Sequence, residues 1–148
     1  MTIKRNNPGN IRPRRKKWQG EITPPGSPFC HFASLELGCR AMLKQLRRYI
    51  ITHRCNTIRK IIARWAPPEE NNTEAYIRTV SKTLGISPNE PISATQETLI
   101  ALAAAMTIVE HGKSVPQETW QAAYKLLSYL TSNLSLPCNS STTPSSSC

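Results

Sequence analysis

A chain of 148 residues is long enough for one substantial core and too short for two. Its 19 basic residues against nine acidic ones give a formal net charge of +10, which selects polyanionic partners: nucleic acid, an acidic membrane surface or an anionic cell wall. No apolar run follows the opening Met1 to Arg5, so no secretory signal is expected, and the longest apolar stretch, Leu99 to Val109, is too short to cross a bilayer.

Residues 1–30 are broken by Pro8-Gly9, Pro13, Pro24-Pro25-Gly26 and Pro28, which predicts an irregular arm with a small hairpin around Trp18 to Phe32. Ser34 is a good N-cap for a first helix whose apolar positions Leu35, Cys39, Met42, Leu43, Leu46 and Ile50 fall at helical spacing, with Lys44, Arg47 and Arg48 turned out. Asn56 or Thr57 caps a second helix with Ile58, Ile61, Ile62 and Trp65 inward. It stops where Pro67-Pro68 removes backbone donors. A third helix carries Tyr76, Ile77, Val80 and Leu84 on one side and ends at Gly85. Ser93 with Gln96 resembles a capping box and opens the most apolar helix, with Leu99, Leu102, Ala103, Met106 and Val109 inward, Glu110 at its end and Gly112 beyond. Pro116 suits the first turn of a fifth helix bearing Trp120, Ala123, Tyr124, Leu127 and Leu130. The expected organisation is one mainly α domain over 1–130, and a disordered Ser/Thr/Pro tail over 131–148 with nothing to bury.

All nine acids are glutamate, which narrows any carboxylate chemistry to nine positions. Glu110 stands out. At the end of an apolar helix, partial desolvation and the helix's negative pole both favour its protonated form, as a general acid requires. On residues alone it also reads as a solvated helix-end carboxylate. Glu21, in the turn Trp18-Gln19-Gly20-Glu21, is the next candidate for a second carboxylate, or else an ordinary turn residue. The loop Asn6-Asn7-Pro8-Gly9-Asn10 offers amides that could grip sugar hydroxyls and N-acetyl groups, and reads equally as a plain turn. Arg14 to Lys17 beside Trp18 could contact phosphates, but no nucleic-acid-reading motif accompanies the run, so nucleic acid is not the expected partner. Fifteen of the 19 basic residues precede position 65. The five cysteines form no CxxC pair and the three histidines no HExxH, so no metal or cofactor is expected and the thiols should be free in the cytosol where the chain is made.

The strings Asn6-Asn7-Pro8-Gly9-Asn10-Ile11-Arg12, Trp18-Gln19-Gly20-Glu21 and Trp65-Ala66-Pro67-Pro68-Glu69-Glu70-Asn71-Asn72-Thr73 with Tyr76 resemble a group of small phage and prophage proteins described as virion structural proteins or peptidoglycan hydrolases. The chain is also similar to autolysin-type and flagellar N-acetylglucosaminidases of lysozyme-like fold. Asn6-Asn7 to Arg12, Trp18-x-Gly20, Phe29-x-x-Phe32-x-Ser34 and Ala66 to Tyr76 follow that family's order. The helix bearing that family's catalytic glutamate precedes those segments there; here Ala103 to Gly112 resembles it from the other end of the chain. The resemblance implies a circularly permuted lysozyme-like domain, which nearby chain ends permit. It implies Glu110 as catalytic acid, Glu21 as second carboxylate, and Asn6, Asn7, Asn10, Trp18, Glu70, Asn72 and Tyr76 as substrate-binding residues. His111 replaces the family's serine, and its Thr-Asp-Pro triplet is absent. The implied activity is cleavage of peptidoglycan glycan strands in the periplasm or wall, after delivery by a phage, by lysis or by a secretion system. An immunity or inhibitor protein or a phage particle is the implied partner. The other expectation is a non-catalytic virion or wall-binding protein.

Overall fold

The computed structural model of the chain describes residues 2–135. Within them lie a 3-10 turn (Lys4–Asn6) and five α-helices: α1 (Leu35–Ile51), α2 (Ile58–Trp65), α3 (Thr73–Leu84), α4 (Gln96–His111) and α5 (Gln117–Ser135). Among the described residues there is no strand. The hairpin expected around Trp18 to Phe32 is reduced to a single antiparallel bridge between Glu21 and Phe32. α5 continues helically past Thr131 as far as Ser135, and residues 136–148 of the expected tail lie outside the described residues. No helix among the described residues is long and apolar enough to cross a membrane.

Side-chain caps set the helix starts. Ser34, Thr57 and Asn72 accept from the backbone N–H groups of Leu37, Lys60 and Ala75 at 3.2, 3.1 and 3.2 Å, each worth about 1 kcal/mol. α4 departs from expectation. Its cap is Thr95, whose hydroxyl accepts from Thr98 N–H at 3.2 Å, and Ser93 lies in the loop before it. Gly85 and Gly112 close α3 and α4 in the left-handed region (φ 68 at both), where a Cβ is unfavourable.

α1 lies against α5 and α4 and touches α2, while α3 lies against α4 and α2. The core is built from Met42, Leu43 and Leu46 of α1, Ile58, Ile61 and Ile62 of α2, Leu99, Leu102 and Met106 of α4, and Trp120 and Leu127 of α5, all fully buried. Burying each such side chain contributes about 1.5–3 kcal/mol before entropy is counted. Thr107 is buried by donating its hydroxyl to Ala103 O at 2.8 Å. Val109, expected inward, is 36% exposed, because α4's last turn leaves the core there. Cys30 and Cys39 are free buried thiols and Cys55 is free and half-buried.

The arm packs as a small second cluster on the flank of α1, where Trp18, Cys30 and Phe32 close over Ala41. Asn7, fully buried, holds it together: its amide donates to Ile11 O and Cys30 O at 3.0 and 2.9 Å, and its Oδ1 accepts from Ile11 N–H at 2.9 Å. Arg5, Asn6 and Asn10 all take positive φ, so the chain reverses tightly twice within six residues. At Gly38 α1 meets this arm so closely that a Cβ would collide with the Asn6 carbonyl oxygen.

Candidate active site

The arm's loop delivers Asn10 to the end of α4. There Glu110 receives two hydrogen bonds: Asn10 Nδ2 donates to Oε1 at 2.8 Å, and the Tyr76 hydroxyl of α3 donates to Oε2 at 2.9 Å. Three segments widely separated in sequence thus converge on one carboxyl group. The neighbouring His111 ring nitrogen Nε2 lies 2.9 Å from Asn7 O and seats α4's last turn on the loop. Lys113 Nζ donates to Thr2 O at 3.1 Å and ties the two ends again.

Glu110 stands where three hollows meet. One of about 300 Å³ runs between α3 and α4, lined by Asn71, Asn72, Ala75, Tyr76 and Thr79. One of about 280 Å³ is walled by Gly9, Asn10, Arg12, Trp65, Glu70 and Asn71. The third, about 430 Å³, lies against Thr2, Lys4, Arg5, His111 and Lys113. Across the middle hollow Glu70 pairs with Arg12 at 2.8 Å, and Trp65 Nε1 donates to Gly9 O at 3.1 Å, fixing the wall's far side.

Burial pushes the Tyr76 hydroxyl far above its ordinary pKa, and the Glu110 charge and hydrogen bond push the same way. It therefore stays a neutral donor throughout the accessible range. The Asn10 Oδ1 is enclosed without a donor.

Of the residues expected to act, Glu110, Asn10 and Tyr76 meet, and Glu70 and Asn72 line the adjoining hollows. Glu21 does not join them. Its side chain is 1% exposed and is spent inside the arm, accepting from Trp18 N–H at 2.9 Å and the Thr23 hydroxyl at 2.6 Å, with Lys17 Nζ at 4.0 Å. Burial alone would raise its pKa, but the Thr23, Trp18 and Cys30 hydrogen bonds and the Lys17 charge outweigh it and hold the carboxyl below its ordinary value. It is a structural anion. Asn6 and Asn7 likewise serve the loop: Asn6 donates to Phe32 O at 3.0 Å, and the three amide contacts of Asn7 are internal. Trp18 is 5% exposed and covered by the Arg14 guanidinium 3.6 Å above its ring. It borders a separate hollow with Arg14, Gln45, Tyr49 and Trp65, on the other side of Gly9-Asn10.

Sequence reasoning did not assign His111, Asn71, Trp65 or Arg12 to the site. His111 and Asn71 carried a signal in their adjacency to Glu110 and Asn72. Among the described residues no three His, Cys or Glu side chains converge as metal ligands would.

Fold and site together define a small all-helical protein with a carboxyl-centred groove between its arm and its helices. Over 116 residues the chain is 37% identical to Protein P5 of Pseudoalteromonas phage PM2, covering 76% of this chain and 71% of that protein, and it belongs to that phage-protein family. No protein-family profile matches it.

Proposed function

We propose that this phage-related chain is a peptidoglycan-degrading glycosidase, a permuted lysozyme-like domain in which Glu110 is the general acid. The observation that carries the reading is the seat of Glu110, gripped from both sides by Asn10 and Tyr76 and open to hollows on three sides. In this mechanism a glycan strand lies along the grooves, and Glu110 protonates the glycosidic oxygen as the anomeric carbon gains positive charge. Asn10 and Tyr76 hold the carboxyl in place through the proton's departure and return. Asn71 and Asn72 supply amides toward N-acetyl and hydroxyl groups. Glu70, rather than Glu21, is the other carboxylate on the groove wall, and it faces the developing cation or an incoming water. The enzyme meets its substrate in the periplasm or wall, after release by a phage, by lysis or by a secretion system.

The test is clearing of purified peptidoglycan. Glu110→Gln, folded by circular dichroism, is expected to lower clearing by at least about 100-fold, the lower range for loss of a general acid. Clearing at the wild-type rate would refute the assignment. Mass spectrometry of the fragments separates hydrolysis, which leaves reducing ends, from transglycosylation, which leaves anhydro-sugars, and identifies the bond cut. Kinship with a phage protein favours a second reading, a non-catalytic virion or wall-binding protein. It predicts retention on walls with no fragments released.

A further inference from the structure

Beyond the ridge of Gly9 and Asn10 lies a hollow of about 300 Å³ for which the proposed mechanism has no role. It shares Gly9, Asn10, Arg12 and Trp65 with the middle hollow beside Glu110, so the two are opposite sides of one ridge. The ridge is firmly held. Trp65 Nε1 donates to Gly9 O at 3.1 Å, and a Cβ on Gly9 would stand 2.7 Å from the Trp65 ring. Trp65 meets Tyr49 edge to face, with centroids 5.7 Å apart and planes at 72°, so the two half-buried rings form an apolar corner. Gln45 and Tyr49 stand at i and i+4 on one face of α1. Arg64 lies 5.2 Å over the Tyr49 ring, which leaves the ring's edge and hydroxyl to the hollow. Among the described residues the Gln45 amide and the Tyr49 hydroxyl make no hydrogen bond, and neither is enclosed. Of the two arginines on the hollow, Arg12 is paired with Glu70 at 2.8 Å, whereas Arg14 enters none of the ion pairs among the described residues. Arg14 is exposed, and its guanidinium is held 3.6 Å over the Trp18 ring.

We propose that this hollow is a second sugar subsite, which takes a carboxylate-bearing pyranose on the far side of the ridge from Glu110. The proposal rests on the wall-glycan part of the function above, and not on Glu110 being the acid. The volume is at the lower end for ligand pockets and has room for one sugar ring. A pyranose has an apolar C–H face and a polar rim. The hollow offers the matching pattern, aromatic walls from Trp65 and Tyr49 with unengaged polar tips from Gln45 and Tyr49. The Gln45 amide both donates and accepts, as an N-acetyl group requires. Arg14 adds a cation with no acidic partner, and its planar fork matches a carboxylate. A wall glycan bears such a carboxylate on the lactyl ether of every second sugar; a strand of N-acetylglucosamine alone bears none. The hollow thus selects the wall polymer over its neutral counterpart.

The experiment is titration of the full chain carrying Glu110→Gln, which keeps the ligand intact, with two soluble tetrasaccharides, followed by tryptophan fluorescence and calorimetry. One alternates N-acetylglucosamine with N-acetylmuramic acid; the other is N-acetylglucosamine throughout. The first is expected to bind about 10-fold more tightly, the lower range for a hydrogen bond to a charged group. Adding Arg14→Gln, on an exposed loop where folding is not at risk, should remove that preference and leave the neutral ligand's affinity within about twofold. Tyr49→Phe and Gln45→Ala, which leave the aromatic corner in place, should each weaken both ligands about fivefold, the effect of one ordinary hydrogen bond. Equal affinity for the two tetrasaccharides, no binding of either, or folded Tyr49 and Gln45 variants that bind like their parent would each overturn the proposal. The two readings fail separately. Wild-type clearing of walls with no such preference sinks the subsite alone, while a preference that Arg14→Gln removes, in a chain that clears nothing, sinks the glycosidase alone.

Discussion

Replacing Tyr76 by Phe removes one hydroxyl from the groove and nothing else. The ring is 6% exposed and keeps its place between α3 and α4, so no cavity opens. What is lost is the 2.9 Å bond to Glu110 Oε2. A hydrogen bond to a charged group contributes about 1.5–3 kcal/mol when fully shielded. Glu110 is half-buried and water can take over part of the contact, so a loss near the lower end, about 1.5 kcal/mol, is expected. For a domain of this size that lowers Tm by about 3–6 °C. The assay is urea and thermal unfolding of wild type, Tyr76→Phe, Glu110→Ala and the double variant at pH 7. The cycle should return a coupling of about 1 kcal/mol. If Tyr76→Phe costs the same with and without the Glu110 carboxyl, the two groups do not meet in solution and the groove is wrongly drawn.

Glu21→Gln should cost about 1–2 kcal/mol, since the Trp18 N–H and Thr23 hydroxyl lose a charged acceptor, yet leave peptidoglycan clearing within about twofold of wild type. Loss of clearing by a folded variant would return Glu21 to the chemistry. Because its carboxyl is held below its ordinary value, the stability it adds is present above the unfolded pKa and fades as pH falls, so Glu21→Gln should flatten the acid limb of a urea-midpoint profile. The alkaline limb is shared by the buried thiols and the Tyr76 hydroxyl, whose ionisation burial opposes in the same way. Burial pushes the Cys30 thiol up to about 11, with the Glu21 charge adding to it, so its contribution is full below the unfolded value near 9 and is lost as pH rises toward 11. Cys39 shifts in the same direction by burial. Urea midpoints should fall between pH 9 and 11, and Cys30→Ala should remove part of that slope; an unchanged slope would mean the thiol is not enclosed. Gly38→Ala should cost about 3 kcal/mol, the upper range for overpacking, because the new Cβ collides with the Asn6 carbonyl oxygen. A loss below about 0.5 kcal/mol would mean the arm does not rest on α1 there.

The helices were legible because their determinants are local. Ser34, Thr57, Gly85, Gly112 and Pro67-Pro68 act within a turn of where they stand. Thr95 displaced Ser93 as the α4 cap because two hydroxyls competed two residues apart and the chain path chose between them. Glu110 could be singled out because a carboxyl at the end of so apolar a helix is unusual wherever the helix packs. Glu21 could not be judged in the same way. Its fate rests on Thr23, Cys30 and the Trp18 backbone, and nothing in a tetrapeptide turn tells whether a carboxylate faces a cleft or the inside of its own loop. The amide-rich Asn6–Asn10 loop divided for the same reason: identical side chains went to internal carbonyls at Asn6 and Asn7 and to the groove at Asn10.

The bond between Asn10 and Glu110 spans 100 residues, and those from His111 to Asn7 and from Lys113 to Thr2 span 104 and 111. Contacts of that range are the last a growing or refolding chain can make, since the loop entropy they close is largest. During synthesis the first ten residues are finished long before their partner leaves the ribosome, and until then no groove exists. The seat of Glu110 is thus a checkpoint on completion: a fragment stopped short of α4 carries the arm but no assembled groove.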